Sequence, residues 1–246
     1  MTTDDLAREL DAHFPKTPEQ QAEWRLEVFP GWERQFPAMA DVCAWLRQPD
    51  ALIQRNSRGL VLLMRRGEDR FIAKRALRQE RRRWTQLTSL YRRGEGCRTL
   101  RNMARLHQAG LPVPEPVFIL EKFRFGMTVA SWGVYRYVEG ATCAREQAAQ
   151  IAATLKQMHA AGWVHRDPHV WNFLIHQGKI SILDCAQARP SRSRYAQMYD
   201  VALLNKCCPG SFAFYGVAES DQVYRLAQAQ NRLLVVWRSV KRRMRG

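Results

Sequence analysis

At 246 residues the chain is long enough to bury a substantial core, as one domain or two joined lobes, and needs no disulfide staples. Hydrophobic residues at 46% and charged residues at 25% favour a folded globular protein over a disordered one. Lys and Arg total 39 against 23 Asp and Glu, and this excess of +16 points to an anionic partner: nucleic acid, acidic lipid or a phosphorylated sugar. No apolar run approaches the roughly 18 residues of a membrane span, and MTTDDLAREL lacks a signal core, so a cytoplasmic location is expected. The six cysteines form no CxxC pair, which favours reduced, mostly buried thiols over a zinc site.

Residues 1–49 begin with a short amphipathic stretch (Leu6, Leu10, His13) and continue as a Pro-broken aromatic segment around Phe29, Trp32, Phe36 and Trp45. They read as an extension packed on the main domain, with a substrate-binding arm as the alternative. From Ala51 the pattern turns to short β-prone runs, GLVLLM and RFIAK, about a turn at Arg66–Asp69, with Lys74 at a strand end. A basic stretch from Arg78 to Arg93 leads to a predicted helix over Glu95–Gln108 with the apolar stripe Leu100, Met103, Leu106 and a cap at Gly110. Pro112, Pro114 and Pro116 force an extended crossing, and VFILEKFRF and VASWGVYRYV then read as two strands about Gly126. After Gly140 the pattern is helical, with Ala148, Ile151, Ala152, Leu155 and Met158 on one face ending at Gly162. A helix is expected around Tyr199–Leu204, starting near Asp200. A last one is expected from about Ser220, with Leu226, Leu233, Trp237 and Val240 on one face and Arg238, Lys241, Arg242, Arg243 and Arg245 at its end.

The segment AAGWVHRDPHVWNFLIHQGKISILD sets Asp167 five residues before Asn172 on a loop and brings in Asp184 after a β-hairpin. A carboxylate beside an acceptor hydroxyl, with an amide and a second carboxylate as hard oxygen ligands for magnesium, suits phosphoryl transfer. His165 and His169 flank Pro168 without a helix to align them, which argues against zinc; His165 reads as a packed residue.

His165-Arg166-Asp167 with Asn172 matches the kinase catalytic loop H-R-D-x-x-x-x-N position for position. With HRDPHVWNF, the following ILD, YRYVEG and AGLPVPEP, the chain from about Leu60 to Leu204 resembles the protein-kinase-like superfamily, and within it the bacterial lipopolysaccharide kinases that phosphorylate inner-core sugars. The resemblance implies an α+β, two-lobed fold: a small antiparallel-sheet N-lobe with one helix over 50–139, and a larger, mainly helical C-lobe over 140–246. It implies ATP and Mg2+ as cofactors, with Asp167 at the acceptor, Asn172 and Asp184 on the metal and Lys74 on the α and β phosphates. Tyr135 would stand at the gatekeeper position, and the backbone from Arg136 to Val138 would meet the adenine. Asp200 would anchor the catalytic loop from below, a plain helix N-cap being its alternative reading.

Three departures stand out. NSRGLVLL holds only Gly59 where a Gly-rich phosphate loop is usual, and Asp184-Cys185-Ala186 replaces DFG. Thr99 occupies the position of the helix acid that pairs with the lysine, which leaves Glu95 as the expected partner of Lys74 and Glu80 as a second candidate. The implied reaction is transfer of phosphate from ATP to a hydroxyl of the lipopolysaccharide core, heptose in particular, at an anionic inner-membrane surface. A catalytically impaired binding module and a kinase of another small-molecule or protein hydroxyl are the alternatives. No nucleic-acid module accompanies the arginines, so nucleic acid is not an expected partner.

Overall fold

The computed structural model describes residues 3–57, 59–91 and 93–243. The chain divides into two compact units, one of Met1–Arg105 with Pro114–Val138 and one of Leu106–Val113 with Glu139–Gly246.

The first unit holds α1 (Thr3–His13), α2 (Pro18–Gln21), β1 (Trp24–Val28), α3 (Met39–Leu46), β2 (Ala51–Arg55), β3 (Leu60–Arg66), β4 (Asp69–Arg75), α4 (Leu77–Arg81), α5 (Arg83–Thr88), the start of α6 (Glu95–Gln108), β5 (Pro116–Arg124) and β6 (Met127–Arg136). The strands form one antiparallel sheet in the order β1-β5-β6-β4-β3-β2. Gly67 and Gly126 take positive φ in the tight turns joining β3 to β4 and β5 to β6, a backbone state that glycine adopts without steric cost.

Alternation along the strands gives the sheet two unlike faces. One carries Leu60, Leu62, Met64, Phe71, Ala73, Phe118, Leu120, Trp132 and Val134, all fully buried. The first 49 residues cover that face: Leu6, Leu10, Phe14, Trp32, Phe36, Val42, Cys43 and Leu46 join the same core cluster, and Val28 and Leu26 of β1 pair with Phe118 and Leu120 of β5. Each large side chain so buried contributes about 1.5–3 kcal/mol. Arg75, 6% exposed, ends the apolar row. Glu80 grips its guanidinium through two 2.7 Å bonds, Glu9 accepts at 2.9 Å, and His13 Nδ1 accepts at 2.9 Å. These bonds fasten α1 and α4 to β4, and they commit Glu80 to Arg75.

The opposite face carries Lys74, Gly133 and Ile119 in one row and Ser131 and Glu121 two residues along. Here α6 lies close because small residues face it on both sides. A Cβ on Gly133 would come within 2.5 Å of Leu100 Cδ2, and one on Gly94 within 2.5 Å of Glu121 Oε1.

The second unit holds β7 (Ala141–Thr142), α7 (Ala148–Ala160), β8 (Trp163–Val164), β9 (Phe173–His176), β10 (Lys179–Ile182), β11 (Arg189–Pro190), α8 (Arg194–Cys207), α9 (Ser211–Tyr215) and α10 (Gln222–Arg243). Ile151, Leu155 and Met158 of α7 are fully buried, and the Pro112 carbonyl accepts from Ile182 N–H at 2.7 Å. One expectation for this unit is corrected. The helix expected near Asp200 begins at Arg194, which places Asp200 in mid-helix, so it is no N-cap. On α10, Leu226, Leu233 and Trp237 are exposed, while Tyr224 and Ala227, from the adjacent stripe, pack against Met198, Val201 and Ala202 of α8. The side chains of Arg238, Val240, Lys241, Arg242 and Arg243, and Arg245 itself, lie outside the described residues. Among the described residues no helix is long and apolar enough to cross a membrane, and all six cysteines are free thiols, five of them buried.

Candidate active site

The loop after β8 is held by one buried carboxylate. Asp200, with no exposure, accepts from His165 N–H at 2.6 Å and from Arg166 N–H at 2.7 Å. His159 Nε2 lies 3.0 Å from the same carboxylate, to which the ring donates, and its Nδ1 is hydrogen-bonded to Tyr215 Oη at 2.7 Å. Arg166 has a φ of 67°, in the left-handed region, which costs a non-glycine residue on the order of 1 kcal/mol. The bond from its amide to Asp200 offsets that cost and turns the chain so that Asp167 follows in the open.

His165 is fully buried, and burial pushes its pKa below the ordinary histidine value, which keeps the ring neutral. Its Nδ1 accepts from Asp167 N–H at 3.3 Å. Downstream, Asn172 Nδ2 donates to the Asp167 carbonyl at 2.9 Å, and His169 N–H donates to the same oxygen at 2.8 Å. With its NH2 so engaged, Oδ1 is the atom of the Asn172 amide that could serve as a ligand. Leu183 N–H donates to the Asn172 carbonyl at 2.9 Å, which brings the residue before Asp184 alongside Asn172. Asp184 Oδ1 accepts from Ala186 N–H at 3.1 Å, a local turn that orients the carboxylate. One amide oxygen and one carboxylate are the hard donors that magnesium takes, usually only one or two from the protein, so the pair fits that ion. Among the described residues no three His, Cys, Asp or Glu side chains gather as a metal cluster.

The other sequence-derived positions belong to the first unit. Lys74 is half-buried on β4, opposite Gly133. Glu95 opens α6 between Gly94, which lies over Glu121, and Gly96, which lies over Ser131; the residue over Gly133, the strand partner of Lys74, is Leu100. Tyr135 and Arg136 close β6. The amides of Arg136 and Tyr137 are spent on the carbonyls of Glu115 and Arg70, both at 2.8 Å, whereas Val138 follows just beyond the strand. Where a Gly-rich loop is usual, between β2 and β3, Asn56 N–H donates to the Gly59 carbonyl and Gly59 N–H to Asn56 Oδ1, both at 3.0 Å.

Two features escaped the sequence reading. Glu121 is a buried acid on the Lys74 face, bonded by Ser131 Oγ at 3.2 Å, with its pKa raised by burial. The second is a cavity of about 840 Å³ beside Asp167, wholly within the second unit, whose lining includes Arg145, Arg166, His169, Trp171, Tyr199 and Lys206. Trp171 is largely exposed and stacks on His169, ring centres 3.2 Å apart. The signal for Trp171 was its place inside HRDPHVWNF, but Arg145 and Lys206 are brought in by helices far along the chain.

An antiparallel sheet with α6 laid across it, and a mainly helical unit carrying the H-R-D loop, define a protein-kinase-like phosphotransferase fold. Residues 62–206, more than half of the chain, match the RIO domain family, and the chain belongs to it. Among solved structures it is similar to WaaP in complex with acyl carrier protein, at 17% identity and a TM-score of 0.52, over 88% of this chain and 97% of that one. It is also similar to a thermostable mutant of aminoglycoside phosphotransferase APH(4)-Ia, at 10% identity and a TM-score of 0.53, over 78% and 87%. At these identities the likeness is one of fold. No curated protein sequence matches the chain.

Proposed function

We propose that this chain is an ATP-dependent kinase that phosphorylates a sugar hydroxyl, heptose of the lipopolysaccharide inner core being the acceptor its motifs favour. The observation that carries the reading is Asp167, held by the Asp200 anchor at the rim of a cavity with three cationic side chains and an exposed indole. Arg145, Arg166 and Lys206 suit the phosphates and carboxylates of an anionic saccharide, and Trp171 offers a flat apolar surface to a sugar ring. The same charges repel a polycationic aminoglycoside, which weighs against that acceptor despite the shared fold.

Asp167 receives the proton of the acceptor hydroxyl as its oxygen bonds to the γ-phosphorus and ADP departs. Lys74 neutralises the α and β phosphates, and Tyr135 stands beside the base. Because the Arg136 and Tyr137 amides are committed, the backbone donor to the adenine edge within Arg136–Val138 is the Val138 amide. Asn172 and Asp184 hold magnesium, which when bound offsets phosphate charge. An acceptor anchored in the inner membrane places the enzyme in the cytoplasm, at that membrane's inner face.

The test is transfer of labelled phosphate from ATP to dephosphorylated core lipopolysaccharide. Asp167→Ala should slow it by about 10²–10⁴, and Arg145→Ala with Lys206→Ala should raise KM for the acceptor without changing KM for ATP. An unlabelled acceptor, with ATP bound normally, would refute the substrate assignment.

A further inference from the structure

The stretch from Leu77 to Arg93 is built inside out. Its sequence carries six arginines against one acid, Glu80, and Arg75 draws that acid inward. Leu77 is buried at the start of α4, but α5 buries none of its residues. Polar atoms fasten this stretch: Gln86 Nε2 donates to the Glu80 carbonyl at 2.8 Å, and Ser89 Oγ accepts from Thr128 N–H at 2.8 Å. The apolar side chains point to solvent instead, with Trp84 76% exposed, Tyr91 93%, and Leu87 and Leu90 about half.

The β5–β6 turn extends this surface. Gly126 lies against Leu90, a Cβ there falling 3.4 Å from Leu90 Cδ2, and neighbouring Phe125 is 82% exposed with the Arg124 guanidinium 5.4 Å from its ring centre. Arg78, Arg81 and Arg82 line a cavity of about 470 Å³ with Ser57 at the flank. Exposed tryptophan, tyrosine, leucine and phenylalanine on segments rich in arginine suit a bilayer boundary, where indole and phenol rings sit at headgroup depth and guanidinium groups meet lipid phosphates. A polyanion in water would use the arginines and leave the apolar side chains unpaired.

We infer that α4, α5 and the β5–β6 turn form a docking surface for an anionic lipid bilayer. Trp84, Leu87, Leu90, Tyr91 and Phe125 enter the headgroup boundary, and Arg78, Arg81 and Arg82 hold lipid phosphates. The surface stands apart from the acceptor assignment and holds whichever hydroxyl is phosphorylated.

The test is sedimentation of the full chain with vesicles of phosphatidylcholine alone and of phosphatidylcholine mixed with phosphatidylglycerol. Wild type should bind the anionic vesicles at least about tenfold more tightly. Arg78→Gln, Arg81→Gln and Arg82→Gln together should weaken binding about a hundredfold, at about fivefold each. Trp84→Ser with Leu87→Ser and Leu90→Ser should weaken it comparably, with an unchanged melting temperature because none of the three is buried. Brominated lipid should quench wild-type fluorescence more than that of Trp84→Phe. Equal binding to both vesicle types would overturn the inference. Loss with the arginine changes alone would assign the surface to a soluble polyanion, and loss only on changing Leu233 and Trp237 would move the contact to α10; either overturns it.

Discussion

Replacing Asp200 by Asn removes one charge and turns one carboxylate oxygen into a donor. Asp200 accepts from three groups: the amides of His165 and Arg166, on different oxygens, and the His159 ring. The one oxygen of Asn can keep at most the two donors now on Oδ2, and its NH2 then faces the Arg166 N–H. One charge-assisted bond is lost, about 1.5–3 kcal/mol, and a buried donor is left unmet, about 1–3 kcal/mol, so the cost is about 2.5–6 kcal/mol. For a chain of this size that lowers the melting temperature by about 10 °C. The positive φ of Arg166 also loses its restraint, so amide exchange at residues 165–167 should accelerate and phosphate transfer fall, even under conditions where the protein stays folded. Asp200→Asn melting within about 2 °C of wild type, with exchange at the loop unchanged, would show that this carboxylate does not hold the loop.

Acid should destabilise the first unit through His13. Burial, with Arg75 and Lys122 nearby, depresses its pKa from 6.5 to about 3. The unfolded chain therefore takes up a proton below about pH 6.5 that the folded chain refuses until about pH 3, and stability falls as pH falls across that window, by roughly 2 kcal/mol at pH 5. His13→Gln should remove this component, so parallel melting-temperature profiles for the two proteins between pH 7 and pH 4 would contradict the assignment. Gly133→Ala should cost about 1–3 kcal/mol by forcing α6 off the sheet opposite Lys74. Because the clash is with Leu100, adding Leu100→Ala should recover part of the loss in a double-mutant cycle, and strict additivity would show that the two do not meet.

The legible parts of this protein were those whose partners lie close in sequence. The span of α6 and the β3–β4 and β5–β6 hairpins follow from local periodicity and turn glycines, and the order of Asp167, Asn172 and Asp184 lies within one segment. What sequence could not show depends on distant contacts. The core made by residues 1–49 is legible only once the sheet they cover is known. Arg145 and Lys206 reach the Asp167 cavity through tertiary packing alone. On α10, α8 covers Tyr224 and Ala227 and leaves Leu226 and Leu233 exposed, a choice between stripes that periodicity alone does not make. Glu80 was a candidate for Lys74 by proximity along the chain, yet adjacent strand residues point to opposite faces, and it serves Arg75.

The pairing of β1 with β5 sets an order on synthesis. Trp24 meets Lys122 across the sheet, so β1, once made, has no partner strand until roughly 100 further residues have been made. Through that interval Trp24, Trp32 and Phe36 are exposed to whatever else is present, and a pause or a chaperone acting early in translation would change yield without altering a single native contact.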